Sequence, residues 1–335
     1  MLAEFEVQPP AVSPIAPHEA LWQAPAMLKT QFYTGAHLDR ASAQRRDETW
    51  VETQRQDGAL RVLALWRDRS LMAPGDESRA HILTGEQARA AFDAADHTGL
   101  LGVNGDEAYF AADLSSRDEA DVSALAGGGT FVDLRQTGPM MSRRDGHLLA
   151  HARGLMYWHR HNGFCGNCGT ATMARSGGGV RRCNNDACGR EHFPRTDPAV
   201  IMLVTHDDPD GDPAKSACLL ARSPRFLEGM YSTLAGFVDQ GESVEETVVR
   251  EVKEEAGIDV VDATYMASQP WPFPASLMLG FRARATTVDI DFDENELEDA
   301  QWFTRTEIAR FDDIGKRLPR TDSIARWLVD TWLVE

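Results

Sequence analysis

The sequence reads as a mixed α+β chain of two domains with a cysteine module between them. Three observations predict this. Its 335 residues exceed the ~100–200 usual for one domain. Strand-like and helix-like patterns alternate after residue 195, and four of the five cysteines fall within the 24 positions from Cys165 to Cys188. The expected division is an irregular lead-in (1–30), a first α+β domain (31–145), a linker helix with the cysteine module (146–194) and a second domain (195–335).

A composition of 42% hydrophobic and 26% charged residues is that of a soluble chain able to bury a core. The formal charge of −18 argues against non-specific binding to nucleic acid or anionic membrane, which needs a basic footprint. It leaves anionic ligands open, because a bound metal ion inverts the local field. No apolar run approaches the ~18–20 residues of a membrane span. Residues 1–30, with Pro9, Pro10, Pro14, Pro17 and Pro25, lack the basic and apolar regions of a signal peptide.

In the first domain, Leu60–Trp66 alternates like a strand, and Thr84 with Gln87 marks a helix start before the run at 88–95. Asn104-Gly105 predicts a hairpin between two apolar runs, and Thr130–Leu134 a further strand. Asp145 is expected to cap a helix over 146–160. Beyond 195 the strands are Ala199–Thr205, Ala217–Ala221, Leu234–Val238, 259–268 and 277–286, with helices near 244–256 and 320–333; residues 207–213 are a surface turn. No internal repeat is visible.

Cys165, Cys168, Cys183 and Cys188 follow the spacing C-x2-C-x14-C-x4-C, close to a zinc ribbon. Two knuckles of two thiolates suit a tetrahedral Zn²⁺, and four sulfur ligands leave no open position, so the zinc would be structural. Gly169 and Gly189 follow the knuckles, where the backbone must reach positive φ. Two disulfides or four free thiols are the alternatives. Cys218 reads as a buried thiol. His147 and His151, spaced i, i+4, read as packed or surface histidines lacking a third ligand.

The richest stretch runs from Gly236 to Ile258. Ser243 with Glu246 forms a capping box, and Gly257 stops the helix. Glu251, Glu254 and Glu255 stand at i, i+3, i+4 on one face, bordering the apolar stripe Val248, Val252, Ala256. Clustered oxygen ligands suit Mg²⁺ or Mn²⁺, and a solvated acidic face is the alternative. This segment resembles the Nudix box, G-x5-E-x7-R-E-U-x-E-E-x-G-U, with Val252 and Ile258 at the aliphatic positions.

Resemblance to the Nudix hydrolases implies an α/β/α sandwich and Mg²⁺- or Mn²⁺-dependent cleavage of a nucleoside diphosphate linked to another group. It implies metal-ligand roles for Glu251, Glu254 and Glu255, and a supporting pair in Glu242 and Arg250. Downstream, Ser268-Gln-Pro-Trp-Pro-Phe-Pro-Ala-Ser276 makes a rigid, flat-walled segment, since proline restricts itself and its predecessor. It is similar to the marker of the NADH pyrophosphatase (NudC-type) subfamily, whose cysteine cluster likewise precedes the box.

That resemblance implies further roles. Glu296 and the Ala235 carbonyl would join the metal ligands. Gln269, Pro270, Trp271, Pro272, Phe273, Pro274, Ala275 and Ser276 would line the substrate pocket, with Phe193 and Phe237 stacking on substrate and Ala325 giving a backbone contact. Arg135 is a candidate phosphate-facing residue. Ser176-Gly-Gly-Gly179 stands where some relatives carry an acidic contact.

The implied activity is hydrolysis of NADH or NAD⁺ to nicotinamide mononucleotide and AMP, with removal of NAD caps from RNA 5′ ends as an extension. Arg181, Arg182, Arg190 and Arg195 form the local basic cluster that RNA would need. A homodimer follows from the resemblance, and four thiolates without an export signal suit the cytoplasm. Two other readings are a Nudix enzyme for a different diphosphate, separated by a substrate panel, and a zinc-ribbon nucleic-acid module with a degenerate Nudix fold, separated by the effect of Glu255→Gln.

Overall fold

The computed structural model describes residues 31–335 apart from 36, 37, 57, 76 and 77. The lead-in expected over 1–30 lies outside the described residues. After the short α1 (Glu48–Gln54), the first half runs β1 (Leu60–Trp66), β2 (Arg69–Met72), β3 (Ile82–Thr84), α2 (Gly85–Ala94), β4 (His97–Asn104) and β5 (Glu107–Asp113). It continues through α3 (Glu119–Leu125), β6 (Thr130–Asp133), α4 (Leu134–Thr137) and the long α5 (Arg143–His161). The hub is β1, parallel to β5 on one edge and antiparallel to β2 and β3 on the other. The sheet order is β4-β5-β1-β2-β6.

Successive side chains of a strand point to opposite faces. Leu63 and Leu65 therefore pack toward Leu148, Leu149 and Ala152 of α5, while Val62 and Ala64 pack toward Ala88 and Ala91 of α2 and Val122 of α3. A strand apolar on both faces is covered on both faces, and the result is an α/β/α sandwich.

Strands β7 (Thr172–Arg175), β8 (Val180–Cys183) and β9 (Glu191–His192) then make a small antiparallel sheet carrying the cysteines. The second half follows with β10 (Asp197–His206), β11 (Ala217–Arg222), β12 (Leu234–Phe237), α6 (Val244–Ala256), β13 (Val260–Trp271) and β14 (Ser276–Ala285). It closes with β15 (Asp299–Thr304), α7 (Arg305–Ile308) and α8 (Ile324–Leu333). Its order is β13-β14-β10-β11-β15, with β12 also on β10. Val200, Met202 and Val204 face Val248, Val252 and Ala256 of α6, whereas Ile201 and Leu203 face Ile324, Leu328 and Val329 of α8.

The two large sheets are one construction used twice. Hub β10 is parallel to β14 and antiparallel to β11 and β12, as β1 is to β5, β2 and β3. Helices α2 and α6 follow the corresponding strands β3 and β12, and α5 and α8 close the two halves. This repeat escapes the sequence because it preserves only the alternation of apolar residues. The copy is also incomplete: α2, Gly-Glu-Gln-Ala-Arg-Ala-Ala-Phe-Asp-Ala, carries no counterpart of the three-glutamate face.

Several local expectations shift. The cap of α5 is Ser142, whose hydroxyl accepts the Asp145 N–H, and the Asp145 carboxylate accepts the Ala80 N–H at 3.2 Å. Asp145 thus joins α5 to the first sheet and is not its cap. Thr84 does precede α2, though its side chain makes no capping bond. The β4–β5 hairpin pairs Asn104 with Glu107, so Gly105-Asp106 forms the turn, one residue later than expected. The last helix begins at Ile324, capped by Ser323, rather than near 320. Strand β15 has no strong sequence signal; its pairing with β11 forms it.

Candidate active site

Local forces set α6 in place. The Ser243–Glu246 capping box is complete, and Gly257 at φ 71° closes the helix with its N–H on the Lys253 carbonyl. Val248, Val252 and Ala256 are fully buried, which aims the neighbouring acids at the rim of the core. Burial grades the three carboxylates: Glu255 is 8% exposed, the Glu251 side chain 13% and the Glu254 side chain 61%. They share a face without sharing an environment.

Arg250 ties the site together. Its Nε and Nη2 donate to the two Glu242 oxygens at 2.6 and 2.9 Å, and Nη2 also donates to the Phe237 carbonyl at 3.0 Å. Its Nη1 reaches both Glu251 and Glu254 at 2.9 Å. Glu242 accepts further bonds from Thr247 and the Asp239 N–H. The Arg250 fork first, then these donors, hold the Glu242 carboxyl down at about 2. Glu242 and Arg250 thus brace the loop ahead of α6 against the helix.

Opposite the helix stands Gly236 of β12. A Cβ there would lie 1.8 Å from Glu251 Cδ, so only a hydrogen fits. Glu255 has no such cationic partner among the described residues. Burial, and then the charges of Glu251, Glu296 and Glu254, push its carboxyl up to about 8. Burial, ahead of the opposing Arg250, likewise raises Glu251. Buried acids that raise one another describe a site short of positive charge, and oxygen donors suit a hard divalent cation. Arg250 Nη1 bridges Glu251 and Glu254, and among the described residues only the cysteines are gathered tightly enough to form a ligand cluster.

These groups open into a cavity of about 730 Å³ lined by Ala235, Gly236, Phe237, Arg250, Glu251, Glu255 and Glu296. A second, more apolar cavity of about 590 Å³ shares Ala235, Thr233, Arg225 and Phe226 with it and adds Arg135, Gln269, Trp271, Met278, Arg320 and Ala325. An acidic chamber therefore continues into an apolar one. No motif or spacing in the sequence marks Arg225 and Phe226, which a loop after β11 delivers; a loop carries no periodicity to betray them. Arg225 makes no ion pair among the described residues.

The 269–276 segment divides its residues. Gln269 is fully buried, and its amide is engaged within the chain: Oε1 accepts the Ile324 N–H at 2.8 Å, while Nε2 donates to the Asp322 and Phe32 carbonyls at 2.7 and 3.2 Å. It braces β13 against the start of α8. Trp271 lines the apolar cavity, but Phe273 sits in the core of the first half with Tyr33. Pro270, Pro272, Ala275 and Ser276 line a third cavity on the other side of the hairpin, and Pro274 lines none of the described cavities. Phe237 is 61% exposed at the acidic chamber, whereas Phe193, 57% exposed, lines none of these cavities.

The four ribbon sulfurs lie within 4.8 Å of one another, with Cys168–Cys183 at 3.4 Å and Cys165–Cys188 at 3.8 Å. Ligands ~2.3 Å from a tetrahedral Zn²⁺ stand about 3.8 Å apart, so the cluster could hold that ion. None of the four is in a disulfide. Gly169 and Gly189 adopt φ 71° and 53°, as the knuckles require. His192, Asn167 and the Asn185 N–H reach the sulfurs from outside. Arg181, expected in a basic surface cluster, is buried instead. It donates to Thr172 and to His159 Nδ1 at 2.9 Å, and His159 Nε2 donates to the Gly178 carbonyl, joining α5 to the ribbon. Cys218 is a buried thiol of β11, pushed up to about 12 by burial.

The family described as NUDIX domain matches residues 195–327, and that described as NADH pyrophosphatase-like rudimentary NUDIX domain matches residues 60–158. A Pseudomonas aeruginosa protein named NAD-capped RNA hydrolase NudC is 48% identical over 186 residues, 56% of this chain and 61% of its own length. One of the same name from Stutzerimonas stutzeri is 43% identical over 215 residues, 64% of this chain and 72% of its own. The human protein named NAD-capped RNA hydrolase NUDT12 is 40% identical over 203 residues, 58% of this chain and 43% of its own. The alignment thus spans under two thirds of the Pseudomonas relative.

Proposed function

Because this chain belongs to the Nudix hydrolase family, we propose that it is a metal-dependent NAD(H) diphosphatase, cleaving NADH or NAD⁺ to nicotinamide mononucleotide and AMP. NAD-capped RNA, a substrate with the same diphosphate, is the proposed second substrate, in keeping with the names of its relatives. The observation that carries this reading is the acidic chamber running into an apolar one through Ala235. A diphosphate bound beside the acids leaves a nucleoside ring in the adjoining cavity, against Trp271 and the Ala325 backbone.

Glu251, Glu255 and Glu296, with Glu254 and the Ala235 carbonyl, are the proposed holders of Mg²⁺ or Mn²⁺. When bound, such cations neutralise the diphosphate and supply a deprotonated water for in-line attack on phosphorus. The chain's own groups position that chemistry. Glu242 and Arg250 fix the loop, Gly236 lets Glu251 approach β12, and Arg225 offers an unpaired guanidinium to a phosphate oxygen. The four cysteines are the proposed structural Zn²⁺ site, and their free thiols fit a reducing compartment such as the cytoplasm. A second copy in a homodimer would cover Phe164, Met173 and Phe193, all exposed on the ribbon.

The test is a product assay on NADH, NAD⁺, NAD-capped RNA, ADP-ribose and a dinucleoside polyphosphate, with Glu255→Gln alongside. Turnover should favour the NAD-containing substrates and disappear in the folded variant. Preference for ADP-ribose or the polyphosphate would overturn the substrate assignment, and unchanged turnover in the variant the metal assignment.

A further inference from the structure

The third cavity, about 360 Å³, lies behind the 269–276 hairpin, walled by α5, the segment entering β10 and residues preceding α1. Arg40, Arg45 and Arg195 line it with His147 and His151, and no aspartate or glutamate does so among the described residues. In a chain of net charge −18, three guanidiniums meeting at one acid-free concavity run against the overall balance. None of the three makes an ion pair among the described residues.

Each arginine is presented differently. Arg45 donates through Nη2 to the Leu100 carbonyl at 2.7 Å, and its buried Nε has no hydrogen-bond partner. Gly179 makes room for it, since a Cβ there would stand 3.2 Å from Arg45 Nη1. Arg40 lies with Nη1 2.6 Å from His151 Nε2, and a weak bond of 3.4 Å joins it to the Leu101 carbonyl. Arg195 is exposed at the mouth. Burial, and then Arg40, lower the affinity of Arg45 for its proton, with Asp39 the acid that opposes this. The remaining wall is flat and apolar, from Trp271, Pro270 and Pro272.

We propose that this cavity binds a phosphate group, held by Arg40, Arg45 and Arg195, as a site separate from the acidic chamber. An unpartnered buried guanidinium N–H is a donor awaiting an acceptor, and planar forks suit phosphate oxygens. Trp271 lines this cavity and the apolar chamber alike, so an occupant here rests on the back of the substrate wall. The phosphate has two possible sources, a free small molecule or an RNA chain, and the same donors would take either.

Calorimetric titration of the full zinc-loaded chain without added Mg²⁺ or Mn²⁺ tests this with three probes: inorganic phosphate, AMP and a short 5′-phosphorylated oligoribonucleotide. Arg40→Gln and Arg195→Gln are the variants. Arg310→Gln, altering an exposed arginine paired with Asp313 at 3.7 Å, is the control. At least one probe should bind, with affinity falling tenfold or more in both variants and unchanged in the control. Binding of phosphate or AMP identifies a small-molecule site, and binding of the oligoribonucleotide alone identifies a chain phosphate. Unaltered melting temperatures show that the variants fold. Failure of every probe to bind, or undiminished affinity in either variant, overturns the proposal, and neither result bears on the hydrolase reading, which is assayed by turnover.

Discussion

Gly236→Ala isolates the geometry of the acidic chamber. The added methyl would stand 1.8 Å from Glu251 Cδ and 2.0 and 2.2 Å from its oxygens. Ordinary carbon contacts begin near 3.5 Å, so the carboxylate must retreat by about 1.5 Å. That movement breaks its 2.9 Å bond to Arg250 and takes it off the position facing Glu255 and Glu296. Misplacing a catalytic constellation by ~1 Å costs on the order of 100-fold, about 2.7 kcal/mol of barrier. The capping box and the stripe Val248, Val252, Ala256 lie on the helix itself and are untouched, so stability should fall only by the ~1–3 kcal/mol of a local overpacking. The assay is kcat/KM on NADH at saturating Mg²⁺ or Mn²⁺, beside a thermal melt followed by circular dichroism. Activity within threefold of the unsubstituted chain, in a protein that melts normally, would refute the claim that Glu251 must sit against β12.

Two further outcomes concern stability. Cys183→Ser should lower zinc content and melting temperature together, measured by metal analysis and calorimetry, because four thiolates close the proposed site; full zinc with a normal melt would contradict it. His159 is buried and neutral, with burial first and Arg181 second lowering its pKa to about 3. Unfolding lets it take up a proton below ~6.5, so its contribution is fully present above that pH. It is lost toward pH 3 at about 1.4 kcal/mol per unit. Urea unfolding between pH 7.5 and 5.5 should show a flatter pH dependence for His159→Gln below pH 6.5, and an unchanged slope would sink the assignment.

How far the sequence carried each part follows from the range of the forces involved. Helix α6 was readable to the residue, from Ser243 to Gly257, because capping, stop signal and i, i+3, i+4 spacing are interactions between near neighbours. The cysteine knuckles were readable for the same reason, and so was the pairing of Glu242 with Arg250, carried by a motif of fixed spacing. Strand β1 spans the expected residues, but it is buried on both faces where the alternation implied one. Strand β15 did not announce itself, since its partner β11 lies about 80 residues earlier and the pairing makes the strand.

What the sequence by itself determined, then, was the chemistry at hand: a helix with three carboxylates on one face, an arginine to brace it, and four sulfurs in two knuckles. Tertiary structure decided what that chemistry meets. It buried Glu255 while leaving Glu254 in solvent, tied the Gln269 amide between β13 and α8 at the wall of the apolar cavity, drew Phe273 into the first half and brought Arg225 and Phe226 to the site. It also folded the first half as a second copy of the sandwich without its acids. Those outcomes depend on which strands become neighbours and which loops return over them. Contacts between residues tens to hundreds of positions apart leave no period in the chain, whereas capping and helical spacing are written within a few residues of each other.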